Sequence, residues 1–266
     1  MRILFIGDVV GKPGREAVRA LLPGLKKDLS PDIVIANGEN SAGGLGVTKD
    51  TATELLDSGV DALTLGNHVF AKKDVYTFLD DEPRVVRPAN YPAGCPGRGW
   101  AIYKDSCGRR VGVINLCGRV FMNEHFDDPF RMADRILKEL SEQTRVILVD
   151  FHAEVTSEKG AMAWYLDGRV TAVIGTHTHV PTADERVLPE GTACISDVGM
   201  TGPENSVLGV KKELIIQKFL SQMPSKFEVA DGPVALCAVL VEADPSTGRA
   251  SGIRRIRANH PTGVGP

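Results

Sequence analysis

No hydrophobic run in this sequence is long enough to cross a bilayer; none reaches the ~18 apolar residues that a membrane helix requires. The opening stretch, Met1 to Gly7, is too short for the core of a signal peptide and ends at Asp8. Cysteine is scarce: five occur, at positions 95, 107, 117, 194 and 237, with no CxxC pair. An odd, unpaired set argues against a disulfide framework and for a reducing cytoplasm. An excess of one charge sign is also missing. Lys and Arg total 31 against 34 Asp and Glu, a net charge of -3, so no global basic field exists to hold a nucleic-acid duplex. There is no Gly-x-Ser-x-Gly elbow, which counts against an ordinary serine hydrolase. Gly7-Asp8-Val9-Val10-Gly11 and Gly43-Gly44-Leu45-Gly46 match neither GxGxxG nor the P-loop pattern. Internal repeats, low-complexity tracts and long Pro/Gly/Ser linkers are absent, so residues 1–266 read as one domain with a loosely ordered tail from about 259.

What is present is ordinary globular material, 42% hydrophobic and 24% charged. A chain of 266 residues buries roughly 70–75% of its unfolded surface and needs no staples. Continuous apolar runs at 2–7, 33–36, 62–65, 146–149, 170–174 and 192–196 predict buried strands. Between them, residues 15–28 (stripe Ala17, Leu21, Leu22, Leu25), 49–58 (capped by Thr48) and 129–142 (stripe Met132, Ile136, Leu137, Leu140) predict helices. Gly11 to Gly14 read as a loop, and 86–99 as a Pro/Gly-rich surface crossover. Residues 100–104 and 110–116 read as a hairpin, as do 234–242 and 250–257. Strands alternating with helices indicate an α/β layered fold.

The polar residues of interest follow the strands. Asp8 follows the first, Glu39 and Asn40 the second, Asn67 and His68 the third, His152 the run at 146–149, and His177 and His179 the run at 170–174. Ligands bind at the C-terminal edge of an open α/β sheet, so these five strand ends predict one crevice. Carboxylates mixed with imidazoles suit divalent transition metals, and the set is large enough for two ions. His177 and His179, if extended, share a face and reach two neighbouring ions. Each residue alone has a plainer reading: Asp8 as a helix cap, Asn40 and Asn67 as turn residues, His152 as a half-buried histidine. A structural explanation for all five strand ends together is lacking. His125 reads as a solvated loop residue, His260 as a bystander in the tail, Cys117 and Cys194 as core, and Trp100 and Trp164 as packing residues.

These blocks, Gly7-Asp8, Gly38-Glu39-Asn40, Gly66-Asn67-His68, His152 and Gly175-Thr176-His177-Thr178-His179, resemble those of the calcineurin-like metallophosphoesterases across most of residues 2–200. The closer resemblance is to the YmdB-like bacterial branch. It rests on Gly7 to Gly11, Asn37 to Asn40, Phe151 to Glu154, Thr156 to Lys159, the Gly-Thr-His-Thr-His string, and Ser196 to Gly202. Three departures from the wider superfamily accompany it: Val10 where a histidine is usual, Glu39 where aspartate is usual, and Val69 where Asp or Glu is usual. The resemblance implies a four-layer αββα sandwich of two mixed sheets flanked by helices, and phosphodiesterase activity on cyclic nucleotides, 2′,3′-cyclic forms included. It also implies two metal ions, iron first, with manganese or zinc as alternatives. Metal one takes Asp8, Glu39, Asn40 and His179, with Asn40 filling in for the missing histidine. Metal two takes Glu39, Asn67, His152 and His177, with Glu39 bridging. A metal-bridging hydroxide is the expected nucleophile and His68 the proton donor. An endonuclease, a phosphomonoesterase and a regulatory nucleotide- or RNA-binding module remain the alternatives. A small phosphodiester is the expected partner. RNA binding and homo-oligomerisation stay open, and no membrane is expected.

Overall fold

Thirteen strands and six α-helices form two sheets with helices on their outer faces in a computed structural model that describes residues 1–260. In chain order the elements of the first half are β1 (Arg2–Ile6), α1 (Gly11–Leu29), β2 (Ile33–Asn37), α2 (Lys49–Asp57), β3 (Ala62–Thr64), α3 (Val75–Asp81) and β4 (Val85–Val86). The second half holds β5 (Trp100–Lys104), β6 (Arg110–Cys117), α4 (Pro129–Leu140), β7 (Val146–His152), α5 (Thr156–Tyr165), β8 (Ala172–Thr176), β9 (Arg186–Val187) and β10 (Ala193–Ile195). The chain then returns to the first sheet through β11 (Gly202–Pro203), α6 (Lys212–Ser221), β12 (Val234–Ala243) and β13 (Ala250–His260).

The first sheet runs β11-β12-β1-β2-β3-β4, with β13 also paired to β12. β1 to β4 are parallel, and β12 is antiparallel to β1. The second runs β5-β6-β7-β8-β10-β9, with β6, β7, β8 and β10 parallel and the two edge strands antiparallel. Both sheets are therefore mixed.

Strand alternation builds the layers. In β1, Ile3 and Phe5 enter a core shared with Val111, Val113, Leu148 and Ile174 of the second sheet. Leu4 and Ile6 point the other way, onto Val18 and Leu22 of α1 and Leu55 of α2. The outer face of the second sheet (Ile114, Leu116, Val149, Phe151) packs on Ile136 and Leu137 of α4 and Met162 of α5. A strand covered on both faces has no polar side, which is why residues 3–6 of β1, 33–36 of β2 and 146–149 of β7 read as unbroken apolar runs. Full burial of each large aliphatic side chain contributes ~1.5–3 kcal/mol.

The sequence reading fails in several places. Gly11 to Gly14 are the first turn of α1, not a loop. The Gly14 N–H donates to the Val10 carbonyl at 3.0 Å, and Pro13 is tolerated because first-turn N–H groups have no helical partner. β7 extends three residues past the predicted end, so His152 closes the strand instead of following it. The segment 86–99 is more than a surface crossover. The buried Arg87 guanidinium donates to the carbonyls of Pro88, Cys95 and Pro96, and buried Asn90 donates to the carbonyls of Cys117 and Asp127. Asn259 and His260 belong to β13; the rest of the expected loose tail lies outside the described residues. Among the described residues, no helix is long and apolar enough to cross a membrane.

Candidate metal centre

All eight expected residues lie together where the C-terminal ends of the two sheets meet. Asp8, Glu39, Asn40, Asn67 and His68 come from the loops after β1, β2 and β3. His152 ends β7, and His177 and His179 follow β8. The crevice therefore lies between the edges of two sheets and not along one, as the sequence alone suggested.

His152 Nε2 is the focus of one half. Glu39 Oε1 and Asn67 Oδ1 each lie 3.2 Å from it, and His177 Nδ1 lies 3.0 Å from it. Glu39, His152 and His177 form a compact group with ligating atoms within 4.8 Å of one another. In the other half, the Asn40 amide nitrogen is 3.0 Å from both Glu39 Oε1 and His179 Nε2, while its oxygen faces His68 Nδ1 at 3.2 Å. A half-turn of that amide would present its oxygen to the centre. Glu39 belongs to both halves.

Each of the three histidines has one ring nitrogen anchored away from the centre and the other aimed into it. His152 Nδ1 is 2.9 Å from Thr176 Oγ1, which donates to Asp150 at 2.7 Å. His177 Nε2 meets Glu154 at 3.2 Å. His179 Nδ1 donates to the Leu208 carbonyl at 3.1 Å. Fixing the outer nitrogen sets the tautomer and leaves the inner one with its lone pair, as metal-binding histidines require.

The electrostatics match a place made for a cation. Asp8 and Glu39 are fully buried, and Asp8 Oδ1 has no hydrogen-bond partner among the described residues. Burial pushes the Asp8 carboxyl up against the opposing charges of His179 and His152. Burial also works against an ionised Glu39, but the charge and hydrogen bonds of His152 and His68 outweigh it and hold Glu39 well below the usual carboxylate range. For His152, burial opposes protonation, yet Glu39 and Asp8 raise it to about 9. Burial and the neighbouring His152 lower His177 to about 3. Without metal, a proton on His152 thus supplies the positive charge that these carboxylates need. An orphaned carboxylate oxygen, two buried acids and three oriented imidazoles fit divalent ions of the mixed N/O class.

His177 and His179 do reach different halves, but not by the expected route. The segment is a turn, with φ of 102° at His177 and 65° at His179, and not an extended strand. Several supporting residues were missed by sequence reasoning: Asp150, Thr176, Glu154 and the Leu208 carbonyl. Asp150 had a signal, being the one carboxylate in the apolar run of β7 and on the same face as His152. Glu154, on an exposed turn, and Leu208, which acts through its backbone, had none. His125 is exposed, and Cys117 and Cys194 are buried, as expected. Trp100 packs against the outer core; Trp164 is largely exposed, with Arg186 over its ring.

Known proteins share this architecture. Residues 4–256 match the family model described as YmdB-like protein. The chain is 51% identical to the 2′,3′-cyclic-nucleotide 2′-phosphodiesterase of Bacillus subtilis strain 168, over 97% of each sequence. A solved hypothetical protein from Thermus thermophilus is 44% identical and superposes with a TM-score of 0.92, covering 98% of this chain and 100% of that one. A solved structure described as a novel phosphatase, from Mycoplasma pneumoniae, is 34% identical with a TM-score of 0.91, covering 98% and 94%. The two mixed sheets flanked by helices are the metallo-dependent phosphatase fold.

Proposed function

This chain belongs to the YmdB-like family, and from that premise we propose that it is a metal-dependent phosphodiesterase that hydrolyses cyclic nucleotides, 2′,3′-cyclic forms first. The observation that carries the reading is the convergence of seven side chains able to ligate a metal, with His152, His177 and His179 each held at one ring nitrogen and directing the other toward the rest of the group. We read residues 1–266 as one domain, because the inter-sheet core is continuous and both sheets contribute to the centre. We place the protein in the cytoplasm.

Asp8, Glu39, Asn40 and His179 would hold one ion, and Glu39, Asn67, His152 and His177 a second. When bound, such ions supply Lewis acidity that lowers the pKa of water and offsets charge on phosphoryl oxygens. The N/O ligands, with no thiolate, suit iron, manganese or zinc; the family resemblance is what puts iron first. His68 lies outside both sets. Its Nδ1 is 3.2 Å from Asn40 Oδ1 and 3.3 Å from Glu39 Oε1, so the Nδ1 proton is committed inward. Burial opposes its charged form, but the hydrogen bond and charge of Glu39 outweigh that and raise its pKa. About a third of the side chain stays exposed, which leaves Nε2–H to face a substrate. Attack of water on phosphorus forms one P–O bond and breaks another; His68 Nε2 gives its proton to the departing alkoxide, and the proton lost by the attacking water passes to solvent, from which His68 is reprotonated.

His68→Ala should keep its full metal content and lose about 10²- to 10⁴-fold in turnover. Loss of metal from that variant, measured by elemental analysis, would make His68 a ligand instead. The substrate is tested with metal-loaded protein on 2′,3′-cyclic AMP, a cyclic dinucleotide, a plain phosphomonoester and a short RNA. Turnover of 2′,3′-cyclic AMP is expected. Turnover of the monoester or the RNA alone would replace the cyclic substrate with that one. Binding without turnover at intact metal content would mark a regulatory module.

A further inference from the structure

We propose that the buried Asp197–Lys159 pair is a positioning device that holds His177 and His179 in their inward orientation by gripping Thr178 between them. The inference rests on the reading above, that these two histidines are ligands.

Both His177 and His179 adopt left-handed φ, at 102° and 65°. Side chains with a Cβ rarely rest there unless the surroundings impose it. The imposing group is Asp197, two residues past the end of β10 and 1% exposed. Its Oδ2 accepts from the Thr178 N–H at 3.0 Å, the Thr178 hydroxyl at 2.8 Å and Lys159 Nζ at 2.7 Å. Its Oδ1 accepts from the Gly199 N–H at 2.8 Å. The Asp197 backbone exchanges further bonds with Thr182, and the Met200 N–H donates to the His179 carbonyl at 3.1 Å. The segment after β8 is thus stitched along its length to the segment after β10.

Neither Asp197 nor Lys159 is a ligand in the proposed centre. A carboxylate this deeply buried needs a compensating cation, and Lys159, 3% exposed, supplies it from α5. That helix follows directly on the segment carrying His152 and Glu154. One ion pair therefore ties the His152 segment to the turn carrying the other two histidines. Released from Asp197, the two residues would relax toward ordinary φ, and His177 Nδ1 and His179 Nε2 would swing apart.

The test measures Mn²⁺ affinity of the full-length, metal-stripped protein from the free-ion EPR signal, beside metal-free thermal unfolding. Asp197→Asn should raise the Mn²⁺ dissociation constant about 10- to 100-fold per folded molecule, the range for loss of an outer orienting partner. Thr178→Val deletes only the hydroxyl bond and should raise it by a smaller factor. A folded Asp197→Asn protein with wild-type affinity overturns the proposal. Should Asp197→Asn fail to fold, wild-type affinity in Thr178→Val overturns it instead. His177→Ala and His179→Ala separate the two levels. Wild-type affinity in both sinks the ligand reading and the clamp with it; loss there, with wild-type affinity in Asp197→Asn and Thr178→Val, sinks the clamp alone.

Discussion

A methyl group at position 66 would sit 2.0 Å from Glu39 Oε2 and 2.4 Å from His152 Nε2. No Cβ survives that contact, so Gly66 is the residue that lets the third strand end close onto the centre. The neighbours cannot yield cheaply, because Glu39 is held by the His68 N–H at 3.2 Å and His152 by Thr176. Gly66→Ala is expected to displace one of them. Overpacking of this kind costs ~1–3 kcal/mol. The variant should therefore purify with little bound metal and a lowered unfolding temperature. Normal metal content by elemental analysis would show that Glu39 and His152 need not stay where they are. The same residue-level logic separates what was readable from what was not. That Asp8, Glu39, Asn67, His152, His177 and His179 come together was legible because chemically unusual side chains follow apolar runs. Glu154 and Leu208 were not, because they matter only through a neighbour brought near by the fold, and one of them uses no side chain at all.

At the scale of elements, periodicity located the long apolar runs and missed what lies between them. α5 and α6 were missed because neither carries a clean apolar stripe; α6 buries no residue at all. α3 has only seven residues, and β4, β9 and β11 have two each, too short for a pattern to register. α4 was legible from its apolar stripe, and the structure adds a cap. Asp128 accepts from the Phe130 N–H at 2.9 Å and the Arg131 N–H at 3.2 Å, with Pro129 just inside. Asp128→Ala should lower stability by ~1 kcal/mol, the usual cost of losing such a cap. Because α4 packs on the outer core, away from the centre, metal content and turnover should be unchanged. Equal chemical denaturation midpoints for variant and parent would show that the cap contributes nothing.

The whole molecule joins two sheets, and the proposed centre lies across the joint. Asp8, Glu39, Asn40 and Asn67 come from one sheet and His152, His177 and His179 from the other, so bound ions would cross-link them. A ligand that binds only the folded state adds about 4 kcal/mol at a thousand times its dissociation constant. At ~2–4 °C per kcal/mol for a chain near this size, chelation should lower the unfolding temperature by roughly 10 °C. The effect should also grow with pH, and the sign follows from His152. Its folded pKa, about 9, lies above the ordinary 6.5, so the metal-free fold gains stability from its proton below 6.5 and loses it as pH rises through 9. His68, also raised, acts in the same direction. The opposite trend from His177, depressed to about 3, fades just above the ordinary 6.5 and is absent from most of that window. Asp150, raised to about 6, completes its ionisation early in that window and acts in the same direction as His152. If His152 is a ligand, a bound metal would take the place of its proton, and competition between the two would weaken as pH rises. The gap in unfolding temperature between loaded and chelated protein should therefore widen steadily from pH 6.5 to 9. Scanning fluorimetry across that range reads it directly. A gap that stays constant would mean that metal and proton do not compete for His152, and His152 would then leave the ligand set.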